Sequence, residues 1–465
     1  MLFSSVTFLY YFLPVLLILY FLVPRRFKNV VLLVSSLFFY AWGEPIYLLL
    51  MIAETAVGFI AGLFIEKFRG RIGSKIAMIG SVVVCIGALA LFKYTDFFIG
   101  TLNGITGLAL PLLKIALPVG ISFYTFQILS YTIDLYRGNA AVQNSILDFA
   151  TYVTLFPQLI AGPIVRYTDV AAELKERQIT LEGFAAGVSR FTVGLAKKVL
   201  LANTLGELCS IYKASDEKSV LFVWIYAVSY ALHIYFDFSG YSDMAIGLGR
   251  MMGFHFIENF NYPYISKSIT EFWRRWHISL GSWFRDYVYI PLGGNRCSKL
   301  RHVFNILVVW MLTGFWHGAG WNFILWGLWF ALFLLLEKYV FFKVWDRIPT
   351  VFVHIYSLVI VLFGWVLFDA LTLGDALGTA GAMVGIGGLA GVTGEALYYL
   401  QSYALPLLIG AVGATPLPKK VWNLLEEHCK PLLTFIEPAA TAVLLVIVTG
   451  YLVDGSFNPF IYFRF

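Results

Sequence analysis

Val303-Phe-Asn-Ile-Leu-Val-Val-Trp-Met-Leu-Thr-Gly-Phe-Trp-His317-Gly-Ala-Gly-Trp321 places one ionisable side chain inside a run that otherwise reads as lipid-phase. No Asp, Glu, Lys or Arg occurs between Arg301 and Glu337. If Arg301 and His302 mark one face of a bilayer, His317 lies about 22 Å further on, at ~1.5 Å per helical residue. A hydrocarbon core is about 30 Å thick, so the imidazole is deep within it. Ionisable groups at that depth are costly and mark reactive sites or pathways. The competing reading is a neutral histidine bonded to a backbone carbonyl in a helix bundle, and position alone leaves both open.

Composition extends this to the whole chain. Of 465 residues, 60% are hydrophobic and 13% charged, about half the charged share of a soluble domain. The long unbroken apolar stretches exclude a barrel, which needs alternating ten-residue strands. The expected fold is all-α, a polytopic membrane protein surrounded by lipid, with no nucleic-acid partner. The four cysteines (Cys85, Cys209, Cys297, Cys429) are scattered and form no C-x-x-C pair, so neither a disulfide framework nor a thiolate metal site is expected. Met1–Ser5 lacks a basic region and no small-residue cleavage site follows, so residues 6–23 read as a retained first span.

Thirteen apolar stretches follow one another, roughly 6–23, 30–43, 46–65, 76–92, 115–133, 146–162, 183–201, 219–238, 303–317, 321–341, 351–370, 400–414 and 434–453. Several are short or interrupted, which predicts about eleven crossings plus re-entrant or interfacial helices in a single membrane domain spanning 1–465. Gly43-Glu44-Pro45 predicts a turn. Basic clusters after the first span (Arg25, Arg26, Lys28), after the third (Lys67, Arg69, Arg71, Lys75) and at Lys419, Lys420 and Lys430 are expected in the cytoplasm. That puts the N-terminus and the aromatic tail 454–465 outside. The Gly- and Ala-rich stretch Gly374–Glu395 reads as a surface hairpin. Pro263–Arg301 holds seven Lys/Arg and two acids, a net of +5 within a chain of +6. Such a face fits the cytoplasmic side of a membrane protein and equally a binding site for an anionic donor.

Ile269–Val288 reads as one amphipathic helix, with Phe272, Trp273, Trp276, Leu280, Trp283, Phe284 and Tyr287 at i, i+3, i+4 spacing. At 100° per residue His277 falls on the apolar face beside Trp273, Leu280 and Phe284. Arg274, Arg275 and Arg285 offer planar bidentate donors for phosphate, or anchor an interfacial helix. Eight of 13 tryptophans lie in Trp273–Trp329, Trp316 among them, which suggests an aromatic wall or ordinary core packing. Asp237 and Asp243 end an apolar span, and pairing with the Arg-rich face is their expected role; no ligand spacing favours a metal. Gly247-Leu248-Gly249 reads as a helix contact or turn. No Walker loop and no G-x-S-x-G elbow occurs, so neither an ATP-driven pump nor a serine hydrolase is supported.

Leu117-Pro-Val-Gly-Ile-Ser-Phe-Tyr-Thr-Phe-Gln127, Phe156-Pro-Gln-Leu-Ile-Ala-Gly-Pro-Ile-Val-Arg166, Tyr235-Phe-Asp-Phe-Ser-Gly-Tyr-Ser-Asp243, Glu271-Phe-Trp-Arg-Arg-Trp-His277, Trp283-Phe-Arg-Asp286, Pro291-Leu-Gly-Gly-Asn295 and Thr313-Gly-Phe-Trp-His-Gly318 occur in this order. Together, over about residues 110–330, they resemble the membrane-bound O-acyltransferase (MBOAT) family, in particular its bacterial branch of alginate O-acetyltransferase type. The resemblance implies a funnel-shaped helical core and a bacterial plasma-membrane location. It implies catalytic roles for His317, as general base, and His277, which would position the carbonyl or stabilise its developing charge. Trp273, Arg274, Arg275, Trp276, Arg285, Asp286, Asn295 and Trp316 become candidates for substrate or donor contact, with Asp237 and Asp243 in support. Acetyl-CoA or another acyl thioester is the implied donor, with no permanently bound cofactor. A polysaccharide is the implied acceptor, reached directly or through an extracytoplasmic acetyltransferase partner. The tail Phe457–Phe465 is similar to the C-terminal motif of a small membrane peptide that accompanies a teichoic-acid D-alanyltransferase of the family. Tyr462 is therefore a candidate acyl relay, with an interfacial anchor as the alternative. The rival function is a transporter or flippase for a lipid-linked or anionic solute, but the paired half-helices it predicts are not evident.

Overall fold

The computed structural model describes residues 1–341, 345–454 and Phe460. Among these, helices account for all regular structure, and β pairing is limited to the isolated bridges Ser219–Ala390 and Phe260–Trp276. The all-α expectation holds. Among the described residues six helices are long and apolar enough to cross a membrane: Leu48–Lys67, Ile72–Thr106, Val220–Met251, Trp321–Tyr339, Thr350–Asp369 and Leu417–Asp454. The pair Gly394–Ser402 and Ala404–Gly413, bent by 57°, makes a seventh if counted as one span, so a number near eleven is not confirmed. Exposed aliphatic side chains such as Val83 and Val446 stud these helices, as a lipid-facing surface requires.

The chain packs as two compact units. The first comprises Met1–Phe191 and Tyr241–Ile257. Its central helix, Ile121–Arg137, is buried along nearly its whole length and packs against Leu48–Lys67 and Ile72–Thr106. The predicted turn at Gly43-Glu44-Pro45 separates helices Lys28–Ala41 and Leu48–Lys67. Gly247 lies in the Val220–Met251 helix, where a β-carbon would meet the Gly187 carbonyl oxygen at 2.6 Å, so this glycine pair is a helix contact.

The second unit comprises Thr192–Gly240 and Glu258–Phe465. Its centre is a helical hairpin, Lys299–His317 followed by Trp321–Tyr339. Lys299–His317 is 19 residues long but falls short of the hydropathy of a crossing helix, because it carries Lys299, Arg301, His302, Asn305 and His317; His302, Asn305 and His317 are buried. The surface hairpin expected at Gly374–Glu395 is corrected: Leu373–Met383 is a helix, capped by Thr372 accepting from the Asp375 N–H at 3.1 Å. Its Ala376, Ala382 and Met383 are buried. The connection after it is held where Val220 and Leu221 donate to the carbonyls of Ala390 and Gly391, each at 3.0 Å.

Asp237 pairs with Lys198 at 2.5 Å, both fully buried. Removing one partner leaves a buried charge uncompensated, which costs about 3–5 kcal/mol. Asp237→Ala is therefore expected to lower the thermal midpoint of the detergent-solubilised protein sharply. An unchanged midpoint would show that the pair does not hold this unit together.

Candidate active site

The helix predicted over Ile269–Val288 is broken. Ile269–Arg275 and Ile278–Phe284 are separate helices, and a π-helical turn follows at Arg285–Tyr289. His277 stands at the break with φ +46 and ψ +54. A left-handed residue bearing a β-carbon costs roughly 1–2 kcal/mol, and such strain collects at functional sites. Two antiparallel hydrogen bonds impose it: Asn261 N–H to the Arg275 carbonyl at 2.9 Å, and Ile278 N–H to the Asn259 carbonyl at 3.0 Å. Amphipathic spacing continues unbroken through this point, which is why the sequence reads as one helix.

The first short helix is fastened at its N-terminus by Glu337, whose carboxylate accepts from the N–H groups of Ile269 at 2.5 Å and Thr270 at 2.9 Å, and from the Thr270 hydroxyl at 2.6 Å. Ser268 caps the Glu271 N–H at 3.0 Å. A buried carboxylate on exposed helix donors satisfies both the orphan N–H groups and the helix dipole. Gly293 and Gly294, with φ of +110 and +55, turn the chain so that Asn305 can donate to the Gly294 carbonyl at 3.1 Å.

These elements bring the two candidate histidines together. The ring centroids of His277 and His317 are 6.5 Å apart, and both residues are buried. His317 ends the Lys299–His317 helix and is enclosed edge-on by Trp316 at 4.9 Å, Trp326 at 5.1 Å and Phe368 at 5.3 Å. His277 borders a cavity of about 760 Å³ whose wall also carries Trp273, Arg274, Arg285, Asn295, His302, Trp310, Thr313, Glu337 and Lys338. His317, one turn beyond Thr313 on the same helix, is not among the lining residues. Arg274, Arg285 and Lys338 are the cavity's cations and Glu337 its acid, already committed to the helix terminus. Lys338 donates to His302 Nε2 at 3.0 Å, the Tyr289 hydroxyl lies 2.9 Å from the same nitrogen, and His302 Nδ1 is 2.7 Å from the Tyr339 hydroxyl. Burial raises the Tyr289 phenol above its ordinary pKa.

A family model described as "MBOAT, membrane-bound O-acyltransferase family" matches residues 137–370, half of the chain. It spans both histidines and every residue of the cavity wall. The chain belongs to the membrane-bound O-acyltransferase family. It is similar to the protein named "Probable alginate O-acetylase AlgI" of Pseudomonas aeruginosa, 45% identical over 80% of this chain and 72% of that one. The protein of the same name from Pseudomonas putida is 38% identical over the full length of both. A peptidoglycan O-acetyltransferase of Helicobacter pylori is 33% identical over 84% of this chain and 81% of its own. This MBOAT protein is thus a membrane acyltransferase, and a transporter is set aside.

Against the MBOAT site expected from sequence, the placements divide. Trp273, Arg274, Arg285 and Asn295 border the cavity. Trp276 is packed in the core against Trp365 at 4.7 Å. Arg275 is held by Glu271 at 2.9 Å, and Asp286 by Arg285 at 2.7 Å, and neither borders the cavity. The expectation that Asp237 and Asp243 pair with the Arg-rich face is corrected: their partners are Lys198 and Arg190, the latter at 2.6 Å, both supplied by the stretch before residue 200. Of the tryptophans, Trp273, Trp310 and Trp326 form a wall, whereas Trp321 is half-exposed. Tyr462 lies outside the described residues. Among those residues no cluster of His, Cys, Asp and Glu suits a metal. Sequence reading missed Asn259, His302, Thr313, Glu337 and Lys338. Glu337 did stand out as the charge that ends the long neutral run.

Proposed function

We propose that this protein moves an acyl group, acetyl in the first instance, from a cytosolic thioester such as acetyl-CoA to hydroxyls of an extracytoplasmic polysaccharide. His317 is the general base. One observation carries the reading above the rest: two histidines distant in sequence share one aromatic enclosure, and one of them opens onto a cavity whose cations exceed its acids. A hydroxyl is a weak nucleophile near neutral pH, so its proton must be taken as it attacks. His317 removes that proton, the hydroxyl oxygen bonds to the thioester carbon, and the tetrahedral intermediate expels the thiolate. The imidazolium then returns the proton to sulfur, giving ester and free thiol. His277, at the cavity wall, meets the reacting group between donor and acceptor.

The polysaccharide assignment draws on the relatives named for alginate and peptidoglycan. The bacterial plasma membrane, outward-facing termini, additional crossings by the shorter helices and an extracytoplasmic acetyltransferase partner belong to the same proposal. So does a relay through Tyr462, which fails if Tyr462→Phe leaves acetylation intact. Arg274, Arg285 and Lys338 would receive the anionic part of the donor, since charge-assisted hydrogen bonds favour phosphate. Arg274→Ala and Lys338→Ala are each expected to raise the donor KM about tenfold, equivalent to ~1.4 kcal/mol. An unchanged KM in the double variant would remove these cations from donor binding. The function itself is tested by ester-linked acetate on extracellular polysaccharide from cells lacking the gene. Restoration by the wild-type gene supports the reading, and unaltered acetylation without the gene overturns it.

A further inference from the structure

We propose that Asn259 is a positioning residue for acyl transfer: it holds His277 with the proton on Nδ1 and so presents Nε2 as a hydrogen-bond acceptor. The proposal rests on the reading of His277 and His317 as the residues at the reacting group. Asn259 is fully buried, and its Oδ1 lies 3.1 Å from the Ser279 N–H, 2.9 Å from the Ser279 hydroxyl and 3.2 Å from His277 Nδ1. The Ser279 backbone N–H can only donate, which fixes the amide oxygen, not the nitrogen, on this side of Asn259. An oxygen there can only accept; the Ser279 hydroxyl is nearer to that oxygen, at 2.9 Å, than to His277 Nδ1, at 3.4 Å, so it donates to the amide and His277 Nδ1 carries its own hydrogen.

The main chain of the same residue completes the hold. The Asn259 carbonyl accepts from Ile278 N–H at 3.0 Å, immediately after His277 in its left-handed conformation. Phe238 lies edge-on to the imidazole with ring centroids 4.7 Å apart, closing another side. Asn259 therefore sets both the backbone and the tautomer of a residue that would not adopt this conformation unaided. In the neutral ring Nε2 then carries a lone pair and no hydrogen, so toward a reacting group it acts as an acceptor. It has no hydrogen to offer the thioester carbonyl, so His277 orients the reacting group and does not itself supply an oxyanion donor. Protonation at Nε2 would remove the acceptor and with it the orientation.

The test is 15N NMR of the full-length chain carrying 15N-histidine in detergent micelles, with the His277 signals identified by their loss in His277→Gln. The expected result is a protonated Nδ1 and an unprotonated Nε2 in the wild type. Asn259→Leu should abolish that preference. Asn259→Asp should raise the protonation midpoint of His277 by about one pH unit or more, because a carboxylate beside Nδ1–H favours the imidazolium. A hydrogen on Nε2 in the wild type, or an unmoved midpoint in Asn259→Asp, overturns the proposal even if Asn259→Leu does not fold. Polysaccharide acetylation in cells supplies the second arm, with Asn259→Leu expected to lose at least tenfold. Full acetylation by Asn259→Leu alongside none by His317→Ala would refute the positioning role alone. Full acetylation by both would refute the functional reading as well.

Discussion

Replacing His317 with Ala is expected to reduce acyl transfer by about 10²–10⁴-fold, the range over which a positioned acid–base group acts. That corresponds to about 3–5 kcal/mol of barrier at ~1.4 kcal/mol per decade. The expectation follows from where the ring sits. Its neighbours Trp316, Trp326 and Phe368 are aromatic, and the nearby second imidazole belongs to His277. Few other groups in this enclosure can take a hydroxyl proton. His317→Gln is the companion variant, since it approximately keeps the volume and a hydrogen-bonding end while losing the basic nitrogen. His317→Gln should accumulate in membranes at wild-type levels, because it nearly fills the space enclosed by Trp316, Trp326 and Phe368, and His317→Ala is compared with it at matched abundance. Ester-linked acetate on extracellular polysaccharide is the measurement. Transfer retained by His317→Gln at equal abundance would remove His317 as the base and return it to the packing.

Why His317 was legible from sequence and Asn259 was not is a matter of range. A histidine inside a run free of charges is conspicuous in one dimension, and hydropathy alone is enough to predict helices around it. Helix periodicity likewise reports burial of Phe272, Leu280 and Phe284 correctly. Periodicity cannot report that the helix stops at Arg275, because Phe272, Trp276 and Leu280 are buried whether or not the chain breaks between them. The break is made by pairing with Asn259–Asn261, a contact across sequence that no local pattern encodes. Asp237 and Asp243 fail for the same reason: charge counting pointed to the nearest dense cluster of arginines, whereas folding delivers Lys198 and Arg190. At Gly374–Glu395 the glycine content points to loop, which holds after Met383 but not over the helix Leu373–Met383, where Ala376 and Ala382 are buried. The Thr372 cap was the available signal of a helix start.

Gly314→Ala and Gly327→Ala are expected to impair this protein as severely as loss of His317, by a different route. The two glycines face each other across the hairpin formed by Lys299–His317 and Trp321–Tyr339. A β-carbon on Gly314 would run into the Phe323 carbonyl and come 3.4 Å from the Gly327 nitrogen, and one on Gly327 would run into the Trp310 carbonyl. These obstacles are backbone atoms, which cannot rotate aside as a side chain can. Small residues allow such close approach between helices in membranes, and forcing one extra methyl group into a tight contact costs about 1–3 kcal/mol, occasionally more. The hairpin must open to accept it, and the opening falls one turn before His317. A displacement of about 1 Å in a reacting group can cost about 10²-fold in rate. Gly327→Ala is the more informative variant, since Gly327 does not border the cavity and touches no proposed substrate. Its acetylation activity should fall about a hundredfold with a lowered thermal midpoint in detergent, and Gly327→Leu should fail to accumulate. Wild-type activity and stability in Gly327→Ala would mean that the glycine contact does not set the position of His317.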